Sequence, residues 1–288
     1  MGPENLLDKI PLGNVALYRN NAKIRTLFMD ILGIRNANWT DYQDALLQLK
    51  RRQTFPPDLE RKVVELYELL NSSRISGEDW LDIKSTFENE RLVYAPRGPF
   101  WFAPSQCLWD SPVPVPGRTV LHPFYSETLA PFFQNRLGIS PAAIGTLVEG
   151  LHILAQGQPS LHAIRRMIEA VNIMDPTRED LSSLEGVNFL PIRYQTGPAS
   201  SVMRFQSCRS NFSIIDRARL ADIFRPYTGF LDFSSEEVQN LAPFLQALDL
   251  SNKYLFRLCT EETACSDNGL LDVVLTERFR NRAYHLLR

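Results

Sequence analysis

The chain has 288 residues, 44% of them apolar, and its 31 basic and 33 acidic side chains leave a formal net charge of −2. That length allows about two domains with real cores, and the near-neutral balance argues against a dominant electrostatic attraction to phosphate backbones or anionic lipid. No apolar run reaches the roughly 18 residues of a bilayer span, and the opening MGPENLLDKIP lacks both a signal-peptide core and the hydroxyl residue that myristoylation wants, so the expected location is cytoplasm or nucleus.

In chain order, Ile24, Leu27, Phe28, Ile31 and Leu32 recur at helical spacing, and the run stops at Gly33 before an apolar Ile34. A glycine just past the last turn adopts the left-handed conformation that ends a helix, and the apolar residue after it folds back onto the helix. Thr40 with Gln43 reads as a capping box for the next helix, and Pro57 opens a further one in PPDLERKVVELYELL. The pattern then turns extended: RLVYAPRGPFWFAPSQCLW holds two short aromatic and β-branched runs around Pro96-Arg97-Gly98-Pro99, which predicts a hairpin. Alternate prolines in DSPVPVPGRTVLHP favour an extended surface linker; a P-x-x-P-x-R ligand ending at Arg118 would need proline where Val113 stands.

The segment LAPFFQNRLGIS (129–140) returns, one residue shorter, as LAPFLQALDLS (241–251), with 7 of 11 aligned positions identical. Leu129, Phe132, Phe133 and Leu137 form the first apolar stripe, ended by Gly138 and Ile139; Leu241, Phe244, Leu245 and Leu248 form the second, ended by Asp249, which tolerates positive φ, and Leu250. Pro131 and Pro243 read as helix-bending prolines, and Ser140-Pro141 as the start of the following helix. Pro159 opens QPSLHAIRRMIEAV; VNFLPIRYQTGPASSVMRF repeats the hairpin pattern around Thr196-Gly197-Pro198, and NFSIID adds a strand. Ser234 and Glu237 in LDFSSEEVQNL form a capping box with two acids in the first turn. VVLTERFRNRAYHLLR is helical in period and reaches Arg288 without a stop, which reads as a cut chain.

Helix stops at 33, 138 and 249 lie 105 and 111 residues apart. The expected fold is therefore α+β, predominantly helical, built of tandem modules that each join a helix pair to a small β-hairpin or sheet. The division is 1–125 and 126–240 for two complete modules, with 241–288 beginning a third, truncated one. Chance likeness among amphipathic Leu/Phe/Ala helices is the alternative to true repetition.

Chemical signatures are missing. No G-x-S-x-G, H-E-x-x-H, Walker glycine loop or G-x-G-x-x-G occurs, so no catalytic or cofactor-binding residue and no cofactor is assigned. Cys107, Cys208, Cys259 and Cys265 have neither zinc nor disulfide-scaffold spacing and read as reduced thiols. His122, His152, His162 and His285 share no metal-ligand spacing, so no metal is expected either. The stretch around Asn268-Gly269 fails as a calcium loop, because its first and twelfth ligands would be Ala264 and Leu275. Glu236-Glu237 and Glu261-Glu262 point about 100° apart on a helix and do not converge on one substrate. Lys50, Arg51, Arg52, Arg165 and Arg166 read as solvated helix faces. Two clusters remain as candidate protein-binding surfaces: the aromatics Phe100, Trp101, Phe102 and Trp109, otherwise a local core, and the arginines Arg278, Arg280 and Arg282, with Arg288 beyond them.

GPFWFAPSQCLW, LAPFFQNRLGIS, FSIIDRARLADIF and LDFSSEEVQNLAPFLQALDLSNKYL, in that order, resemble the region downstream of the nucleotide domain in large fungal proteins related to sacsin and to the plant protein NO VEIN. The likeness runs from about Leu92 to Arg288. Those proteins carry a chaperone- and histidine-kinase-type ATPase domain towards the N-terminus; this chain has no D-x-G-x-G and no glycine-rich lid. The resemblance implies a companion region without the ATP site. It carries over no catalytic residue, and its partners are expected to be proteins or further domains of a larger chain, not nucleic acid or membrane. The expected function is a non-catalytic, chaperone-associated scaffold or client-binding segment. The rival is a free-standing enzyme assembled from dispersed residues around His152, His162 and the Trp101 hairpin.

Overall fold

The computed structural model describes residues 37–51, 58–96, 101–157, 160–197, 200–216, 218–259 and 273–278. Gly33 and the helix read before it, Pro57, Phe100, Pro159, Cys265, Arg280, Arg282 and His285 lie outside the described residues. The fold is mixed α+β, predominantly helical, with small β-sheets between the helices.

Asn38 starts α1 (Trp39–Arg51): its side-chain oxygen accepts from the Thr40 and Asp41 amides at 3.1 and 3.2 Å, and its own amide donates to the Asp41 carboxylate at 2.9 Å. The cap therefore sits two residues before the expected Thr40–Gln43 box, because Asp41 reciprocates for Asn38 as a glutamate would; Gln43 is buried instead. Helices α2 (Leu59–Ser72) and α3 (Gly77–Asn89, capped by Ser76) bury residues three and four apart, Val63, Leu66, Tyr67 and Leu70 on one, Trp80, Ile83 and Phe87 on the other. The expected hairpin follows, β1 (Val93–Tyr94) antiparallel to β2 (Trp101–Phe102). Tyr67, fully buried, binds it: its hydroxyl donates to the Leu92 carbonyl at 2.7 Å and accepts from the Tyr94 amide at 2.9 Å, while Tyr125 donates to the Tyr94 carbonyl at 2.6 Å. Burial pushes both phenols up and keeps them protonated as donors.

The next strand is a wall between two cores. β3 (Cys107–Leu108) pairs in parallel with β4 (Thr119–Val120). On its other side the Trp109 amide donates to Ser140 and the Ala142 amide to Asp110. Because strand side chains alternate, Cys107 and Trp109 enter the core of α1 to α3, whereas Leu108 enters the core formed downstream. The proline linker does the same with its valines: Val113 and Val115 are buried in the downstream core. Ser140 is thus committed to strand pairing, not to capping, and α4 (Ile144–Gln156) begins at Ile144, four residues later than Ser140.

Both copies of the repeated phrase are short helices that close a core. Leu129, Phe132, Phe133, Leu137 and Ile139 pack into the first; Leu241, Phe244, Leu245, Leu248 and Leu250 pack into the second. Each phrase completes the core of the helices that precede it, although the sequence reading sets it at the head of the module that follows. The extra residue of the first copy is absorbed as π-helix, Pro131–Arg136, whereas the second copy, α9 (Ala242–Ala247), is α-helical. At the ends, Ile139 donates to Phe133 six residues back, and the matching Leu250 to Leu245 five residues back. The residues between them, Gly138 at φ 78° and Asp249 at φ 56°, are both left-handed, and Asp249 also donates to Gln246, the two-bond pattern of a Schellman ending. Pro131 and Pro243 stand in the first turn, where no amide bond is lost; neither bends a helix interior.

The second core gathers α4, α5 (Leu161–Ile173, capped by Ser160), α6 (Arg178–Leu181, with a Thr177–Asp180 capping box), α8 (Ser235–Asn240) and α9 against a three-stranded sheet. In chain order α7 (Ala218–Phe224) falls between β6 and β7. The sheet order is β6 (Ser200–Gln206), β5 (Leu190–Gly197), β7 (Phe230–Leu231), all antiparallel. NFSIID is not a full strand; it bridges through Ser213 to Phe230 and Ile214 to Tyr254. A small third cluster sets Leu255 of α10 (Leu255–Leu258) against Phe230 and Phe224.

If the left-handed positions limit each ending, Gly138→Ala costs about 1–2 kcal/mol for a Cβ in that conformation, and Asp249→Gly gains stability by removing one. Thermal melts are expected to shift in opposite directions, by roughly 2–4 °C per kcal/mol; shifts of the same sign would show that the endings do not share one constraint.

Candidate functional site

Beside the sheet lies a groove of about 580 Å³ into which Arg165 of α5, Arg193 and Gln195 of β5, Ser200 and Ser201 of β6, Arg225 just past α7, and Asp232, Phe233, Ser234 and Glu237 converge. The register of β5 with β7 builds its centre: Arg193 faces Phe230, and Asp232 follows β7 directly. Arg193 grips the Asp232 carboxylate with two bonds, Nε to Oδ1 at 2.7 Å and Nη2 to Oδ2 at 2.9 Å, and reaches Ser201 Oγ across the hairpin at 3.3 Å. The hydrogen bonds to Asp232 hold the Arg193 guanidinium above its already high ordinary pKa.

Arg165 works from the helix side. Its guanidinium donates to Glu237 Oε1 at 3.3 Å and to the Asp232 carbonyl, and lies 4.5 Å from the centre of the Phe233 ring; its buried Nε has no partner among the described residues. Seven residues on, on the same face of α5, Asn172 accepts from the Phe244 amide at 3.1 Å and donates to the Asn240 carbonyl at 2.9 Å, pinning the junction of α8 and α9. Ser234 and Glu237 form the expected capping box: the Ser234 amide donates to Glu237 at 2.6 Å, and the Glu237 amide to Ser234 Oγ at 3.2 Å. That backbone bond is the main reason the Glu237 carboxyl sits below the usual glutamate range; burial opposes it, and the Ser234 hydroxyl and Arg165 assist. Arg165 and Arg193 are thus spent on clamping β7 and α8, whereas Arg225 makes an open, 3.6 Å ion pair with Asp222.

The residues singled out from sequence lie elsewhere. Trp109 is buried and stacks on Phe133 with ring centres 5.7 Å apart; Trp101 and Phe102 are half-buried, and Trp101 meets Tyr94 edge-on. Their hairpin forms part of the first core. Arg278 is exposed on the helical segment 273–278. His152 is half-buried on α4 and His162 exposed in the first turn of α5, and neither lines this groove or the smaller concavity beside Tyr227. Burial pushes the Cys107 thiol up to about 12 and the Cys208 thiol to about 11, so both stay protonated and inert near neutrality. Among the described residues no group of three or more metal-ligating side chains gathers, and no helix is long and apolar enough to cross a membrane.

The sequence reading treats Arg165 as a solvated charge and passes over Arg193, Arg225 and Asp232. The available signal was the acid-free, arginine-bearing hairpin; the partner 39 residues away depends on strand register. A domain of unknown function (DUF8348) matches residues 145–259, from α4 to the end of α10, and so contains the whole groove. No curated protein and no solved structure matches the chain.

Glu237→Gln tests the capping box. A depressed folded pKa stabilises the fold above the unfolded value near 4.5 and is lost as pH falls through the folded one. Glutamine keeps an acceptor for the Ser234 amide, so the variant loses only the charge near the helix N-terminus, worth about 0.3–1 kcal/mol. It is expected to melt about 1–3 °C lower at neutral pH, with the gap closing as pH falls through the glutamate range. A gap independent of pH would remove the carboxylate from this role.

Proposed function

We propose that the chain is a non-catalytic protein-interaction segment, the scaffold or client-binding part of a sacsin-like, chaperone-associated protein. The observation that carries this reading is the edge of the sheet at β6, which no other strand among the described residues pairs with. β6 is the outermost strand, seven residues long and largely exposed. The opposite edge is occupied: β7 bonds to Ser213, whose amide donates to Gly229 and whose carbonyl accepts from Leu231. An exposed strand edge is a template for an added strand, and extended segments of partner proteins dock by that route.

The arginine clamps support the same reading. By fixing β5 to β7 and β7 to α5 they hold the sheet rigid behind its free edge, and a pre-ordered edge saves much of the entropy cost of docking. The scaffold setting and the expectation of protein partners rest on the resemblance of that ordered series of phrases to the sacsin and NO VEIN group, read from the sequence alone.

Capture from a source-cell extract tests the reading when the wild type is compared with Met203→Pro. Proline on an edge strand whose amide faces outward breaks no internal ladder bond, so the variant is expected to melt like the wild type. It is expected to lose a set of proteins that the wild type retains, and crosslinks from that set are expected to map to β6. Identical sets from the two chains would overturn the proposal.

A further inference from the structure

Resting on the interaction reading above, we infer that the free edge of β6 takes an extended acidic peptide. The Asp232 amide donates to the Pro191 carbonyl at 2.8 Å, which turns the backbone groups of Pro191 and, by alternation, of Arg193 toward β7. Those of Ile192 and Tyr194 then face β6, where they oppose Arg204 and Val202. The groups of Met203 and Phe205, one position out of phase, point away from the sheet, and so do those of Ser201. A docked strand finds its hydrogen-bonding ladder there, about 4.8 Å from β6.

Charge selects the occupant. From Gly186 to Ile215 the chain carries Arg193, Arg204 and Arg209 and no acidic residue. Arg193 is held by Asp232, and Arg209 pairs with Glu185 at 3.0 Å. Arg204 is exposed on the edge strand itself and has no ion-pair partner among the described residues. A carboxylate on the added strand beside Arg204 makes the favourable opposite-charge cross-strand pair. The neighbouring side chain on that face, Val202, is exposed too, at 41%, so an acidic residue alternating with small or β-branched ones fits this strip. A second copy of the chain fits it less well: pairing β6 with β6 sets two acid-free, arginine-bearing strands side by side and supplies no carboxylate for Arg204.

The test uses three labelled synthetic heptapeptides: one alternating glutamate with valine and threonine, its lysine counterpart, and the glutamate peptide interrupted by proline. Fluorescence anisotropy reads affinity at low and high salt, and amide hydrogen exchange reads the edge. The glutamate peptide is expected to bind about tenfold tighter than the lysine one, as one cross-strand pair turned from attraction to repulsion allows. It is expected to weaken with salt and to protect the Ser201, Met203 and Phe205 amides. The proline-interrupted peptide and the Met203→Pro chain are expected to show no binding, and Arg204→Glu, at an exposed site, to reverse the charge preference. Equal affinity for glutamate and lysine peptides, or glutamate binding that survives Met203→Pro, overturns the inference. So does a sedimentation-detected dimer lost in Met203→Pro, which would assign the edge to a second copy. If extract proteins still depend on the edge while the peptides show no acidic preference, only the acidic chemistry falls; if capture is also indifferent to Met203→Pro, the interaction reading falls with it.

Discussion

Each core of this protein is closed by a short helix that reverses direction at once, and that reversal rests on one left-handed residue. At Gly138 and Asp249 the chain turns so that the next residue, Ile139 or Leu250, drops into the core the helix has just capped. Without the turn, the fold-back residue would face water and the phenylalanines beneath it would lose their lid. Phe132 lies 5.2 Å from Tyr67, ring centre to ring centre, and Tyr67 in turn holds the β1 backbone. The small hairpin of the first core therefore depends on a helix ending some seventy positions after Tyr67. Near-identical phrases solve the same closure problem twice, and the one-residue difference in length is taken up by a π-helical turn that leaves the buried positions in register.

The two cores are not independent. Residues 107–109 form one wall of each: Cys107 and Trp109 look one way, Leu108 the other. The proline linker returns Val113 and Val115 to the second core, and Val115 settles where a side chain at position 150 would stand, 3.1 Å from an added Cβ on Gly150. Alternation along a strand suits this double use, since a helix buries one stripe whereas a strand offers two faces.

Local physics was readable from the residues. The Ser234–Glu237 capping box, the stops at Gly138 and Asp249, both hairpins and the mixed, mostly helical class follow from short-range patterns, and the structure contains them. The signals that misled were also local: Ser140-Pro141 has the form of a helix start, but a strand pairs with its backbone first, and Thr40–Gln43 loses to Asn38–Asp41 two residues earlier. The groove was not readable, because its parts come from α5, β5, β6 and the exit of β7. Arg193 meets Asp232 only once the β5–β7 register is set, and no spacing within one element announces that pair.

The two sides of the sheet have been treated oppositely. On the β7 side, backbone groups are taken up by Ser213 and by the Ile214–Tyr254 bridge, and the side chains by two arginines that spend their charge on Asp232, Glu237 and a carbonyl. On the β6 side, no described residue pairs with the outward backbone groups or with the Arg204 charge. A strand edge left this way normally carries a blunting device: a proline, a bulge that twists it away, an inward charge or a covering loop. The irregularity between Gln195 and Gly197 lies at the turn end of the hairpin, and Arg204 is the only charged side chain within β6. A single arginine finds no carboxylate on an identical edge but finds one on a strand of opposite charge, so the one charged residue of the edge is also the one that gives it selectivity.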